Sequence, residues 1–136
     1  MLDAQTQQPI AGAVVLGVWT KQEGMVFHRT VLVGVKEAET NAEGRFELER
    51  PGALGVEESV TVYKFGYVAW NNQYIFPTDE NRKRTGIPDQ IPLELFPPDG
   101  SHQKHIRFIH SATMSSFSAR SWVRFRDAIN REDRMP

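Results

Sequence analysis

Three histidines stand close together in HQKHIRFIH, residues 102–110. Imidazole is the commonest protein ligand for transition metals and the usual general base near neutral pH, so His102, His105 and His110 are the first residues to test for chemistry. In a strand, separations of three and five put His105 opposite both others. In a helix, His102 and His105 share a face while His110 drifts away from His105. Neither element presents all three, and no Asp or Glu lies among them. The expectation is therefore no metal site and no cofactor, with solvated or capping histidines.

A second cluster, WNNQY, joins ring faces to amides at Trp70, Asn71, Asn72, Gln73 and Tyr74. Rings stack and amides fork hydrogen bonds, a mixture suited to sugar or peptide recognition. The bland alternative is that Trp70 caps the core while the polar residues turn the chain. The loop that follows, FPTDENRKRTGIPDQ, is long for a compact domain, and long loops often carry function. A third stretch, TNAEGRFELE (40–49), sets Asn41, Glu43 and Gly44 in an order reminiscent of a calcium loop. One carboxylate and one amide fall far short of the oxygens calcium needs. Asn41 instead suits the first position of a type I turn and Gly44 the fourth.

The elements that position these residues are legible from alternation. GAVVLGVW (12–19), TVLVGVKEAET (30–40), GRFELE (44–49), SVTVYKFGYVAW (59–70) and QIPLELFP (90–97) read as short strands separated by turn signals. Val31, Val33 and Val35 fall on one face of the second, and Phe46 and Leu48 on the core face of the third. After Pro98 the pattern changes, and Trp122, Phe125 and Ile129 form the stripe of an amphipathic helix with Ser118 as its N-cap. At 136 residues the chain is one domain's worth, with no cysteine and no apolar run long enough to span a membrane. No signal peptide is visible, and compartment is left open.

Charge is unevenly distributed. Residues 1–100 carry nine Lys/Arg against fourteen Asp/Glu, whereas residues 101–136 carry seven against three, with no carboxylate between Ser101 and Arg126. Such a split can mark a face for nucleic acid or anionic lipid. The reading adopted is a tail lying against the acidic part of its own domain, with no nucleic-acid partner.

Three stretches in order, DAQTQQPIAGAVV (3–15), TNAEGRFEL (40–48) and VYKFGYVAW (62–70), resemble the carboxypeptidase regulatory-like domain. Asp3, Pro9, Ile10, Gly12 and Ala13 match its first step. Thr40, Gly44 and Phe46 match the second, and Lys64, Gly66 and Tyr67 the third. Gln7 stands where that family usually has a turn glycine, and Asn41 where it usually has Asp. The resemblance implies an all-β fold, a Greek-key transthyretin-like β-sandwich over residues 1–97. Residues 98–136 then form a basic extension with an amphipathic helix. It further implies a non-catalytic binding or scaffolding module for a protein or carbohydrate ligand, in an extracytoplasmic bacterial setting, periplasmic or cell-surface. Only Met1 and Leu2 precede Asp3, so the chain is expected to begin inside the family's first strand. That leaves an open sheet edge for the tail around KHIRFIHSA, a partner strand, or a second copy in a homodimer.

Related sandwiches include enzymes, so the alternative is a small hydrolase of the transthyretin-fold type that acts on 5-hydroxyisourate. That family ends in Tyr-Arg-Gly-Ser, and this chain ends REDRMP. Intradiol ring-cleaving dioxygenases take a His-Ile-His pair to iron, and here Arg107 stands at the second ligand position after His105 and Ile106. Grouping of His28 with Arg29 or Lys36 in a cleft would favour the hydrolase; exposed rings around Trp70 would favour the binder.

Overall fold

The computed structural model describes the chain except for residues 28, 53–54, 78–79, 84–85, 114–122 and 136. His28, Ser118 and Trp122 lie outside the described residues. Eight elements follow in order: β1 (Leu2–Asp3), β2 (Val14–Glu23), β3 (Arg29–Glu39), β4 (Glu57–Tyr63), β5 (Trp70–Asn71), β6 (Pro92–Leu93), α1 (His102–Thr113) and α2 (Val123–Asp133). The structure is mostly β, with two sheets and two helices, an arrangement compatible with a sandwich. A four-stranded sheet runs β3-β2-β4-β5, and β1 pairs β6 in a small parallel sheet.

The central strand, β2, carries the alternation that builds two cores. Val14, Leu16 and Val18 point to one face, where they meet Tyr63, Ala69, Ile106, Ile109, Phe125 and Ile129. Ala13 and Val15 point to the other, joining Met1, Ile10, Val60, Val62, Trp70, Ile91 and Leu93. Period-two alternation thus serves both faces, because helices cover one and the small sheet with its loops covers the other. Phe46 and Leu48 do turn inward onto the second core, but residues 44–49 form no strand. In β3 the expected alternation of Val31, Val33 and Val35 is broken. Trp19 pairs Gly34 while Thr20 pairs Leu32, so Val33 is the extra residue of a bulge. The slip is what lets Leu32 and Val35 both reach the helix-side core.

The 102–110 stretch is neither strand nor edge filler; it is the start of α1. After β6, Pro97 opens a turn whose carbonyl accepts the Gly100 N–H at 3.0 Å, and Ser101 caps the helix, its Oγ accepting the Lys104 N–H at 3.2 Å. One face of α1 is apolar at Ile106, Ile109 and Ala112, all buried. The opening turn of α2 is anchored to β3, where Glu37 accepts the Phe125 N–H at 2.6 Å. A carboxylate beside the free N–H groups of a helix start is favoured by the helix dipole. Near the other end, the Arg131 guanidinium lies 4.0 Å from the Phe65 ring centroid. No helix among the described residues is long and apolar enough to cross a membrane.

The polar clasp at residues 41–45 closes as a turn. Asn41 Oδ1 accepts the N–H groups of Glu43 and Arg45, both at 3.0 Å, and the Gly44 N–H donates to Asn41 O at 2.9 Å. An oxygen so occupied is not a calcium ligand. Gly44 sits at φ +74°, and a Cβ there would run into the carbonyl oxygen of Met1, itself the acceptor for Ile10 N–H. Gly44→Ala is therefore expected to destabilise the fold by about 2–4 kcal/mol, a left-handed penalty plus overpacking. Gly52→Ala is the control, since a Cβ there meets nothing within 4 Å. Equal urea midpoints for the two variants would show that the clasp does not need its glycine.

Candidate functional site

The histidine expectation needs correction. His105 is not solvated; it is fully buried, and α1 turns it together with His102 toward Glu132 on α2. Ala69 N–H donates to His105 Nε2 at 2.9 Å, so that nitrogen is the acceptor and Nδ1 carries the proton. Nδ1–H then donates to Glu132 Oε2 at 2.6 Å. His102 Nδ1, one turn earlier, donates to the same oxygen at 2.8 Å, and the Tyr63 hydroxyl donates to Oε1 at 2.7 Å. Phe96 stacks on His102 with centroids 4.4 Å apart, and Phe76 and Phe96 tilt against His105. His110 points away into solvent, as helical spacing requires.

Electrostatics follow from this geometry. Burial pushes the Glu132 carboxyl upward, but the bonds from His105, Tyr63 and His102 outweigh it and hold the group below the usual carboxylate range. Burial, then the bond to Glu132, drives the Tyr63 phenol far above its ordinary value. A carboxylate that accepts three donors from two other elements is a strut: it joins α1, α2 and β4. Neither ring nitrogen of His105 is left to take a proton from a substrate or to ligate a metal. Among the described residues, no group of three or more His, Cys, Asp or Glu is placed to hold a metal ion.

The ring-and-amide cluster is placed mostly inside. Trp70 is 7% exposed, Asn71 and Asn72 are buried, and Gln73 and Tyr74 are half-buried. Asn71 Oδ1 accepts the N–H groups of Gln73 and Tyr74, while its Nδ2 donates to Ser59 and Thr61 hydroxyls. Asn72 accepts the Val60 N–H at 2.8 Å and donates to Glu58 O at 3.0 Å; Gln73 donates to the same carbonyl at 2.6 Å. These amides splice the 71–74 segment onto β4. Trp70 is covered by Arg82, whose guanidinium lies 5.1 Å from the ring.

Three cavities adjoin these elements. One of about 160 Å³ borders Trp70 and Arg82, and one of about 690 Å³ lies beside the clasp between Asn41, Arg45 and Asp89. The third, about 440 Å³, is a groove between the outer face of α1 and the 74–77 segment, with Tyr74, Phe76, Lys104, Arg107, Phe108 and Ser111 in its lining. Its two walls are tied together from below: Asn71 donates to Ser59 Oγ, which donates to Ala112 O at the end of α1. Of the five residues singled out in sequence, Tyr74 alone lines this groove. Lys104, Arg107, Phe108 and Ser111 follow helical spacing, and only the assignment of α1 makes that visible.

Among the described residues, the Lys and Arg side chains of the basic tail form no ion pair with the acidic body. Ion pairs among the described residues involve Lys21, Arg29 and Arg50, and no Lys or Arg beyond residue 100. Comparison of the chain with protein-family models, with curated proteins and with solved structures found no match in any of the three.

Proposed function

We propose that the chain is a non-catalytic binding or scaffolding module, built on the Greek-key transthyretin-like sandwich that its resemblance to carboxypeptidase regulatory-like domains implies, and set in an extracytoplasmic bacterial compartment. The observation that carries the non-catalytic reading is the saturation of Glu132 and His105 by Tyr63, His102 and Ala69 N–H. Groups of the kind that acid–base chemistry uses are here engaged in holding helices to a sheet.

Backbone roles at the matching positions support the fold reading. Gln7, where the family usually has glycine, is a non-glycine residue held at positive φ, 62°. Asp3 accepts from Gln5 and Thr6 N–H and from the Tyr67 hydroxyl, which ties the first and third matched steps. Thr40 accepts Ala13 N–H and donates to Ile10 O, which ties the second step to the first. Pairing of two copies through an open edge would use β3, whose outer side carries no strand among the described residues. The bulge at Val33 opposes such pairing.

For the hydrolase alternative, His28 lies outside the described residues; among the described histidines His102 has its Nδ1 held by Glu132 as a general base requires. Against it, His102 lies stacked under Phe96 and lines none of the three cavities. Incubation with 5-hydroxyisourate and with catechols at micromolar protein is expected to give no turnover above background. A saturable rate that disappears in His102→Gln would replace the binding reading with the enzymatic one.

A further inference from the structure

From the groove between α1 and the 74–77 segment we infer that the protein binds an amphipathic organic anion, a molecule with an apolar body and one carboxylate or sulfonate group. The inference rests on the binding-module reading and adds the ligand's chemistry to it. The apolar part of the site is a floor of rings: Phe76 and Phe108 lie 5.4 Å apart, with Tyr74 beside them. Rings so arranged accept a flat or chain-like apolar body. At about 440 Å³ the groove falls within the size of small-molecule sites.

The charge of the ligand follows from α1. Lys104 and Arg107 are three apart, exposed, and on the face that lines the groove. Among the described residues, neither joins an ion pair and no carboxylate lines the groove with them. No Asp or Glu occurs from Ser101 to Arg126, so α1 itself brings none to the groove. Two uncompensated cations beside half-buried rings form a site for one anionic group next to an apolar one, because a carboxylate can accept from Lys and Arg together. Ser111 supplies a hydroxyl one turn beyond Arg107. With two cations among its described lining residues and an aromatic floor, the site fits neither the many phosphates of a nucleic acid nor a bare inorganic anion.

The experiment uses the full chain and two fluorescent probes of similar shape: anionic 8-anilinonaphthalene-1-sulfonate and neutral N-phenyl-1-naphthylamine. The anionic probe is expected to bind one-to-one, and to bind at least about tenfold more weakly to Lys104→Gln/Arg107→Gln, since each lost bond to a charged group weakens binding by that order. The neutral probe should bind less tightly and be unaffected by the double substitution. Ser111→Trp, at an exposed position, should fill the groove and abolish both. All three sites are on the surface, and a thermal melt of each variant verifies the fold. Displacement of the sulfonate by laurate or by 2-naphthoate then separates acyl from aryl carboxylates as the natural source.

Each contrary result is informative. If both probes bind equally and ignore the double substitution, the groove is a binding site but the anionic class is wrong. If neither probe binds, the inference falls together with the assignment of a ligand to this groove. If the sulfonate binds undiminished to Ser111→Trp, it sits elsewhere, for example on the exposed Met25–Phe27 hairpin tip, and the inference is overturned.

Discussion

Glu132→Ala is expected to destabilise the protein by about 3–5 kcal/mol, the usual penalty for removing one partner of a buried charged network. On a chain of this size that corresponds to a fall in Tm on the order of 10 °C or more. The physical reason lies in the donors left behind. Tyr63 O–H and His105 Nδ1–H would face an empty space from which water is excluded, each losing its acceptor. Glu132→Gln should also destabilise, by about 2–3 kcal/mol, because an amide brings donors where donors already point. His105 cannot relieve the conflict by switching tautomer: Ala69 N–H already donates to its other nitrogen. An acid titration gives a second readout. The folded-state Glu132 carboxyl is held below its ordinary 4.5, so its contribution is complete above that pH and is lost as pH falls through the lowered value. Urea midpoints of the native protein should therefore drop from pH 5 toward pH 3 more steeply than those of Glu132→Gln. Parallel acid limbs, or a loss below about 1 kcal/mol for Glu132→Ala, would show that the cluster is not the strut that joins the helices to the sheet.

The strut and the groove are two faces of one helix. On α1, His102, His105, Ile106 and Ile109 look inward, while Lys104, Arg107, Phe108 and Ser111 look out over the 74–77 segment. Phe76 contacts both sets, its ring 4.9 Å from His105 and 5.4 Å from Phe108. The position of the groove's wall is thus set by the buried network, in the way a binding site is held by the bonds behind it. The histidine pair that stands out in sequence also helps to position a neighbouring surface.

What could be read from sequence depended on the range of the interaction. Local signals held: the Asn41 clasp, and the inward turn of Phe46 and Leu48. Alternation in β2 was visible, but not that both of its faces would be buried, because that depends on α1 and α2 arriving from the far end of the chain. The 102–110 stretch was undecidable between strand and helix on histidine spacing alone; Ser101 after two prolines was the decisive local signal. Glu132 is 27 residues from His105, and no spacing rule joins them. The amides of Asn71 and Asn72 have the chemistry of a ligand fork, and nothing local says that β4 takes up their bonds. Buried polar residues are hydrogen-bonded wherever they occur, so composition cannot separate a splice from a site.

The docking of α2 is the remaining test with a large expected effect. Phe125 is fully buried, edge-on to Tyr63 with ring centroids 6.2 Å apart, and packed with Leu16, Val18 and Ile109 in the helix-side core. Phe125→Ala is expected to destabilise by about 3–5 kcal/mol, through lost burial and the cavity that remains. Ile129→Val, one turn further along the same stripe, removes one methyl group and should lose about 0.5–1.5 kcal/mol. The ratio matters more than either value, because a helix resting loosely on the sheet would show two small and similar effects. Amide exchange adds a spatial readout. If α2 folds onto the sheet as one unit with α1, Phe125→Ala should accelerate exchange in both helices, since Glu132 on α2 is what His102 and His105 hold. Exchange accelerated in α2 alone would mean that α1 is anchored without it, by Ala69 and Ser59 on the sheet.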